Sequence, residues 1–328
     1  MKNCFLTEGR WGGKIPKEFD GMRNDSAWMY LLDADHHFIG NFRDIKDYDN
    51  IFIMFPKGHL SLNILGVKLD NNPSIVTDLL SSNIVDVLKS QNKRVHYIQE
   101  GPTWLFNDYD VIDQLNFYNL LASVDTIFAH NKHDIKFYKG LFPSKDITTI
   151  PPIMIHHHLI NIKPQPLEKV MVGGNFARWY GGFQSYIVAD KFKVEKWVQN
   201  SHAQREYEDQ IEDLNHFPRL SWLEWMKQLS TFKYAVHLMP TVAAGTFSLN
   251  CAYFGIPCIG NEKVDTQNIC HPDLSVDVDD IEKACILANR LKEDKEFYEK
   301  CSKTAKIMYK KHYGVDKFIK DIKPNLTK

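Results

Sequence analysis

Apolar residues along this 328-residue chain gather into short runs that alternate with longer stretches of helical period. Residues 50–55 (Asn-Ile-Phe-Ile-Met-Phe) form a continuous apolar run, the kind buried on both faces of a parallel sheet. Segments 3–7, 94–99, 126–129 and 147–150 read as further strands, and 26–33, 77–91, 111–124 and 132–141 as helices, the first capped by Ser26 or Asp25. A proline-rich linker at 163–167 separates this series from a second one. There, 169–172 reads as a strand, Gly173-Gly174-Asn175 as a tight turn, and the chain from Gly181 as the start of a helix. Ser221 opens a helix over 221–229, strands follow at 234–239 and 256–259 with a loop and short helix between them, and residues 280 to about 320 are mostly helical.

Such alternation predicts an α/β protein of two doubly wound, Rossmann-like domains, 1–165 and 166–328, the last helices packing back on the first. Ligands of these sheets bind beyond the carboxyl ends of the strands, so a cleft between the two domains is the expected place for chemistry.

Composition narrows the partners. Lys and Arg number 40 against 41 Asp and Glu, so no global field draws the chain to nucleic acid or anionic lipid, and any such contact must be a local patch. The six cysteines, at 4, 251, 258, 270, 285 and 301, have neither C-x-x-C nor metal-ligand spacing, which fits reduced thiols in a cytoplasmic protein. Neither a signal-peptide core nor a run approaching the roughly 18 apolar residues of a membrane span is expected.

The organising stretch is Val172-Gly-Gly-Asn-Phe-Ala-Arg178 and the helix after it. Backbone N–H groups at a helix start lack intrahelical partners and sit at the positive end of the dipole, and Arg178 adds a planar guanidinium suited to phosphate. Gly173, Gly174, Asn175 and Arg178 thus read as a diphosphate cradle, with glycines kept for packing as the plain alternative. Arg10, Trp11, Gly12 and Gly13, with Glu8, form a loop after the first strand and suit acceptor contact or ordinary loop packing. Asp265 and Gln267 follow the 256–259 strand and are placed to reach hydroxyls of a bound ligand, unless Asp265 caps a helix. His156-His157-His158 reads as a solvated linker, because neighbouring side chains on an extended segment point to opposite faces. No metal is called for, since helix amides and arginine can neutralise a diphosphate.

Two Rossmann-like halves with a glycine loop opening the second resemble the glycosyltransferase B superfamily. Gly245-Thr-Phe-Ser-Leu-Asn-Cys-Ala-Tyr-Phe-Gly-Ile-Pro-Cys-Ile-Gly260 is similar to its donor-site helix, with Thr246 at the helix start. Asn250 stands where that family has a ribose-binding glutamate, and Val242 where many retaining members have another. Within the superfamily, residues 172–178, Tyr97-Ile-Gln-Glu-Gly-Pro102 and Asn261-Glu-Lys-Val-Asp-Thr266 resemble the phage DNA glucosyltransferases that act on hydroxymethylated pyrimidines. That resemblance places Glu100 where inverting members carry the general base. It puts Ala177 where they carry a diphosphate arginine, one residue from Arg178, and Phe247 where they carry another. It implies an inverting transfer of a hexose from a nucleoside-diphosphate sugar, UDP-glucose for example, to a hydroxymethylated base in double-stranded DNA, with no cofactor. A glycan transferase and a non-catalytic nucleotide- or DNA-binding protein of the same fold remain open beside it.

Overall fold

The computed structural model describes residues 2–9, 12–55, 84–99, 101–177, 179–199 and 206–326. Four predicted site residues, Arg10, Trp11, Glu100 and Arg178, lie outside them, as do residues 77–83 of one predicted helix.

Two compact units make up the chain, Met1–Phe19 with Arg23–Pro151 and Phe318–Lys328 in one, and Asp20–Met22 with Pro152–Lys317 in the other. The main passage between them falls at Pro151 and Pro152, ahead of the 163–167 linker.

The first unit is built on β1 (Asn3–Thr7), β2 (Gly13–Lys14), β3 (Asp35–Phe38), β4 (Asn50–Ile53), β5 (Arg94–Ile98), β6 (Thr126–Ala129) and β7 (Asp146–Thr149). Their order is β2-β3-β1-β4-β5-β6-β7, every neighbouring pair parallel except β2 with β3. Every residue of β4 and β6 is buried, which is why both appear in the sequence as short runs without a polar face. Around the sheet stand α1 (Asn24–Leu31), α2 (Ile84–Ser90), α3 (Val111–Ser123) and α4 (Lys132–Leu141). Asp110 and Asn131 cap α3 and α4 by accepting the N–H of Asp113 and of Asp134. The cap expected at Ser26 or Asp25 is corrected: α1 starts two residues earlier, with Arg23 at the cap position and no side-chain bond.

The second unit has β8 (Leu167–Val172), β9 (Glu195–Val198), β10 (Leu214–His216), β11 (Phe232–His237), β12 (Cys258–Asn261) and β13 (Ser275–Val276), all parallel, in the order β10-β9-β8-β11-β12-β13. From β8 the chain steps outward to β10, then returns to β8's other side at β11. This is the doubly wound order of dinucleotide-binding sheets, and the reversal lies between β8 and β11. The helices are α5 (Gly182–Ala189), α6 (Trp222–Leu229), α7 (Thr246–Phe254), α8 (Asp265–Cys270), α9 (Ile281–Glu293) and α10 (Lys295–Tyr313). Ser221 and Glu224 form a full capping box on α6, as the serine suggested. Val170, Val172, Val188, Phe192, Tyr234, Val236 and Ile259 anchor the core between sheet and helices.

The His156–His158 segment is not a solvated linker but a packed 3-10 turn. His156 stacks on Tyr253 with its Nδ1 3.2 Å from the Tyr309 hydroxyl, and His158 Nε2 is buried. Among the described residues no group of three or more His, Cys, Asp or Glu could hold a metal ion, and no helix is long and apolar enough to cross a membrane.

Candidate functional site

At the reversal point of the second unit, Val172 lies beside Val236, and Gly173 N donates to Val236 O at 2.7 Å, so β8 and β11 stay paired to their ends. Space there is exhausted. A Cβ on Gly173 would stand 2.6 Å from His237 Cβ and Cγ and 2.8 Å from Phe247 Cε1. Gly181, the residue before α5, has φ +65, and a Cβ on it would be 1.9 Å from Leu238 O. Ser185 locks this approach: its hydroxyl donates to Gly181 O at 2.7 Å and accepts from Leu238 N at 2.8 Å. Inside the turn, buried Asn175 accepts from Ala177 N at 3.2 Å, and Phe176 N donates to the buried Glu208 carboxylate at 3.2 Å, with His216 Nε2 3.6 Å from its other oxygen.

One strand over, α7 begins after Gly245, whose φ is +73 and whose carbonyl accepts from Ser248 Oγ at 3.1 Å and Thr266 Oγ1 at 2.8 Å. Thr246, half-buried, is the first residue of the helix. Asp265 is likewise the first residue of α8 and half-buried, while Val264 holds its cap position. Two residues expected to contact the donor are buried and bonded within the unit. Asn250 is 2% exposed, and its amide, oriented to satisfy its neighbours, accepts from Trp225 Nε1 at 3.1 Å and donates to Thr246 O at 3.2 Å. Gln267 is 2% exposed and donates to Cys258 O at 2.8 Å and Leu274 O at 3.4 Å. Both amides hold the unit together and face inward.

The starts of α5 and α7 are electrostatically unlike the rest. Among described α-helices of six or more residues, every other one carries an acidic residue in its first turn, namely α1, α2, α3, α4, α6, α8, α9 and α10. Only α5 and α7 lack both an acidic residue there and a side-chain cap, each opening instead on a left-handed glycine. A missing cap leaves first-turn N–H groups open, and a missing carboxylate leaves the positive dipole end uncompensated. Both bare starts follow strands that flank the reversal point, so together they form an anion-attracting corner.

In the first unit the sheet order reverses between β1 and β4. The loop after β1 is tied at its base, where Gly9 N donates to Thr7 Oγ1 at 3.1 Å and that hydroxyl pairs with His36 Nε2 at 2.7 Å. Gly13, at φ +81, belongs to edge strand β2 opposite His36, and Gly12 precedes it. At the end of β5, Gln99 is buried, with its side-chain amide donating to Gly101 O at 2.8 Å and its N–H to Phe128 O at 2.9 Å. These bonds fix the backbone on both sides of position 100.

No protein-family model and no curated protein matches this sequence. Solved structures do match its fold. An alpha-glucosyltransferase in complex with UDP superposes with a TM-score of 0.64 at 12% identity over 100% of both chains. An alpha-glucosyltransferase with UDP-glucose and DNA containing an abasic site gives 0.64 at 12%, covering 100% of this chain and 99% of that one. TarM gives 0.60 at 10%, covering 87% of this chain and 56% of its own, and the pneumococcal O-GlcNAc transferase GtfA with UDP and GlcNAc 0.58 at 10%, covering 88% and 59%. The fold is that of the glycosyltransferase B superfamily.

On this scaffold, Gly173, Gly174, Asn175 and Thr246 gather at the reversal point of the second unit, whereas Gly12 and Gly13 lie at the edge of the first sheet, with β3 between them and β1. Sequence reading did not single out His237, Ser185 or Glu208. A lone histidine in the apolar run Tyr-Ala-Val-His-Leu-Met was a visible signal, whereas Ser185 and Glu208 had none.

Proposed function

We propose that this chain is a glycosyltransferase that moves a hexose from a nucleoside-diphosphate sugar, UDP-glucose in the first instance, to an acceptor hydroxyl. The observation that carries the reading is the pair of helix starts, α5 and α7, left without acidic residue or cap at the reversal point of a doubly wound sheet. As the glycosidic bond breaks, negative charge grows on the departing diphosphate. Oriented amides already aimed at that charge stabilise the transition state without reorganising. The amides of Gly174 and of the first turns of α5 and α7 serve this purpose, and Arg178, in the same stretch of sequence, adds a cation. Glu100 takes the proton of the attacking hydroxyl, a contribution of about 10²–10⁴-fold.

For the acceptor we favour a hydroxymethylated pyrimidine in DNA. The support is the end-to-end match with the alpha-glucosyltransferase, which was solved with DNA, against partial coverage of the enzymes solved with glycans. A net charge of −1 favours the rival glycan acceptor, since duplex binding draws on phosphate neutralisation. Thermal shifts against a panel of nucleotide sugars, followed by transfer of labelled sugar to hydroxymethylated duplex and to glycans, test both layers. Stabilisation by a UDP-sugar with label in DNA supports the proposal. A flat panel refutes donor binding, and label in glycan alone refutes the DNA acceptor. Glu100→Gln should keep donor affinity and lose turnover, and the anomeric proton coupling of the product reads inversion. A retained configuration would remove Glu100 as base.

A further inference from the structure

His237 ends β11 at the reversal point, and its ring fills the space that absent side chains would need. The ring's Cβ and Cγ lie 2.6 Å from where a Cβ on Gly173 would stand, and its Nε2 lies 3.4 Å from where one on Gly174 would stand. On another side the ring meets Phe247, in the first turn of α7, edge to face with centroids 4.8 Å apart. The imidazole is therefore wedged between the glycine turn that leads to α5 and the bare start of α7. Its Nε2 is shut off from solvent and has no hydrogen-bond partner among the described residues, while the ring as a whole keeps some exposure.

A buried nitrogen without a partner costs stability, and native proteins leave few of them. His271 in the same unit sets its Nε2 3.0 Å from Ser248 O while its Nδ1 stays buried without a partner. Burial without a counter-charge pushes the His237 imidazole down to about 4. It is therefore neutral near pH 7, a single N–H donor and not a cation. We infer that His237 is a binding residue for the diphosphate, its Nε2–H donating to a phosphoryl oxygen lodged between the Gly173–Gly174 turn and the start of α7. The inference rests on the donor reading of the corner and adds to it a specific side chain and atom.

The test uses UDP and uridine as probes on the full chain. A charge-assisted hydrogen bond corresponds to about 10- to 100-fold in affinity, so His237→Phe should weaken UDP binding by that factor and leave uridine binding unchanged. His237→Gln, which keeps an N–H near the Nε2 position, should recover most of the loss. In ¹⁵N-labelled wild type, the His237 Nε2 resonance should move on adding UDP and stay still on adding uridine. If wild type binds no nucleoside diphosphate, the donor reading itself fails. If wild type binds UDP while His237→Phe binds it equally well, or the Nε2 resonance does not respond, the donor reading stands and the role of His237 is overturned. Should His237→Phe not fold, the resonance of the wild-type protein decides alone.

Discussion

Replacing His96 by phenylalanine should remove most of one step in the acid sensitivity of the fold. His96 lies on β5, 5% exposed, with both ring nitrogens buried and unpartnered, between Phe52 at 5.0 Å and Phe128 at 5.7 Å. Burial pushes its pKa from 6.5 down to about 4, outweighing Asp125, which pulls it upward. The unfolded chain therefore binds a proton that the folded chain refuses between those values. The stability His96 contributes is complete above pH 6.5 and drains away as pH falls toward 4. Integrated from pH 7 to pH 5, the loss is about 2 kcal/mol, since each pH unit across the window is worth up to about 1.4 kcal/mol. At pH 7 two effects of the substitution oppose each other, since ridding the core of unpaired nitrogens gains about 1–3 kcal/mol and overpacking costs about as much. The difference between the two pH values is decisive. Urea unfolding of wild type and His96→Phe at pH 7 and pH 5 should show wild type losing about 2 kcal/mol more than the variant. Equal losses would mean that His96 titrates normally in the native state and that its aromatic enclosure is not dry.

Two further outcomes follow from the second unit. Gly181→Ala places a Cβ 1.9 Å from Leu238 O at a φ of +65, so the turn before α5 must shift; the variant should melt lower than wild type and show no thermal response to UDP, and an undiminished response would separate the turn from donor binding. Trp225→Phe strips the Asn250 oxygen of its donor and should cost about 1–3 kcal/mol in urea unfolding, whereas a cost near zero would show that the bond at 3.1 Å carries no weight.

Architecture was legible wherever burial acts on both faces of an element. β4 and β6 show as bare apolar runs, and Ser221 with Glu224 announces α6 through chemistry local to four residues. β3 (Asp-His-His-Phe) and β9 (Glu-Lys-Trp-Val) carry polar groups that are satisfied by partners outside the strand, such as Tyr48 on His37 and Asp190 on Lys196, so no alternation within the strand marks them. At the site, glycines were legible because backbone crowding admits little else. Side-chain direction was not. Asn250 and Gln267 occupy the right stretch of chain but turn inward, because Trp225 and the carbonyl of Cys258 are there to receive them. Which face of a short helix meets solvent is decided by such neighbours, and helical spacing alone does not contain them.

The bare starts of α5 and α7 also set how the empty protein behaves. Every other described α-helix of six or more residues carries its own permanent counter-charge in the first turn. Under the proposed donor reading, a bound diphosphate supplies the counter-charge at these two helices. Vacant, the second unit forgoes stabilisation that one aspartate at either helix would supply for good. Occupied, it regains that stabilisation together with the contacts of the guest, so resilience to heat and proteolysis should track the cell's supply of the small molecule rather than the sequence alone.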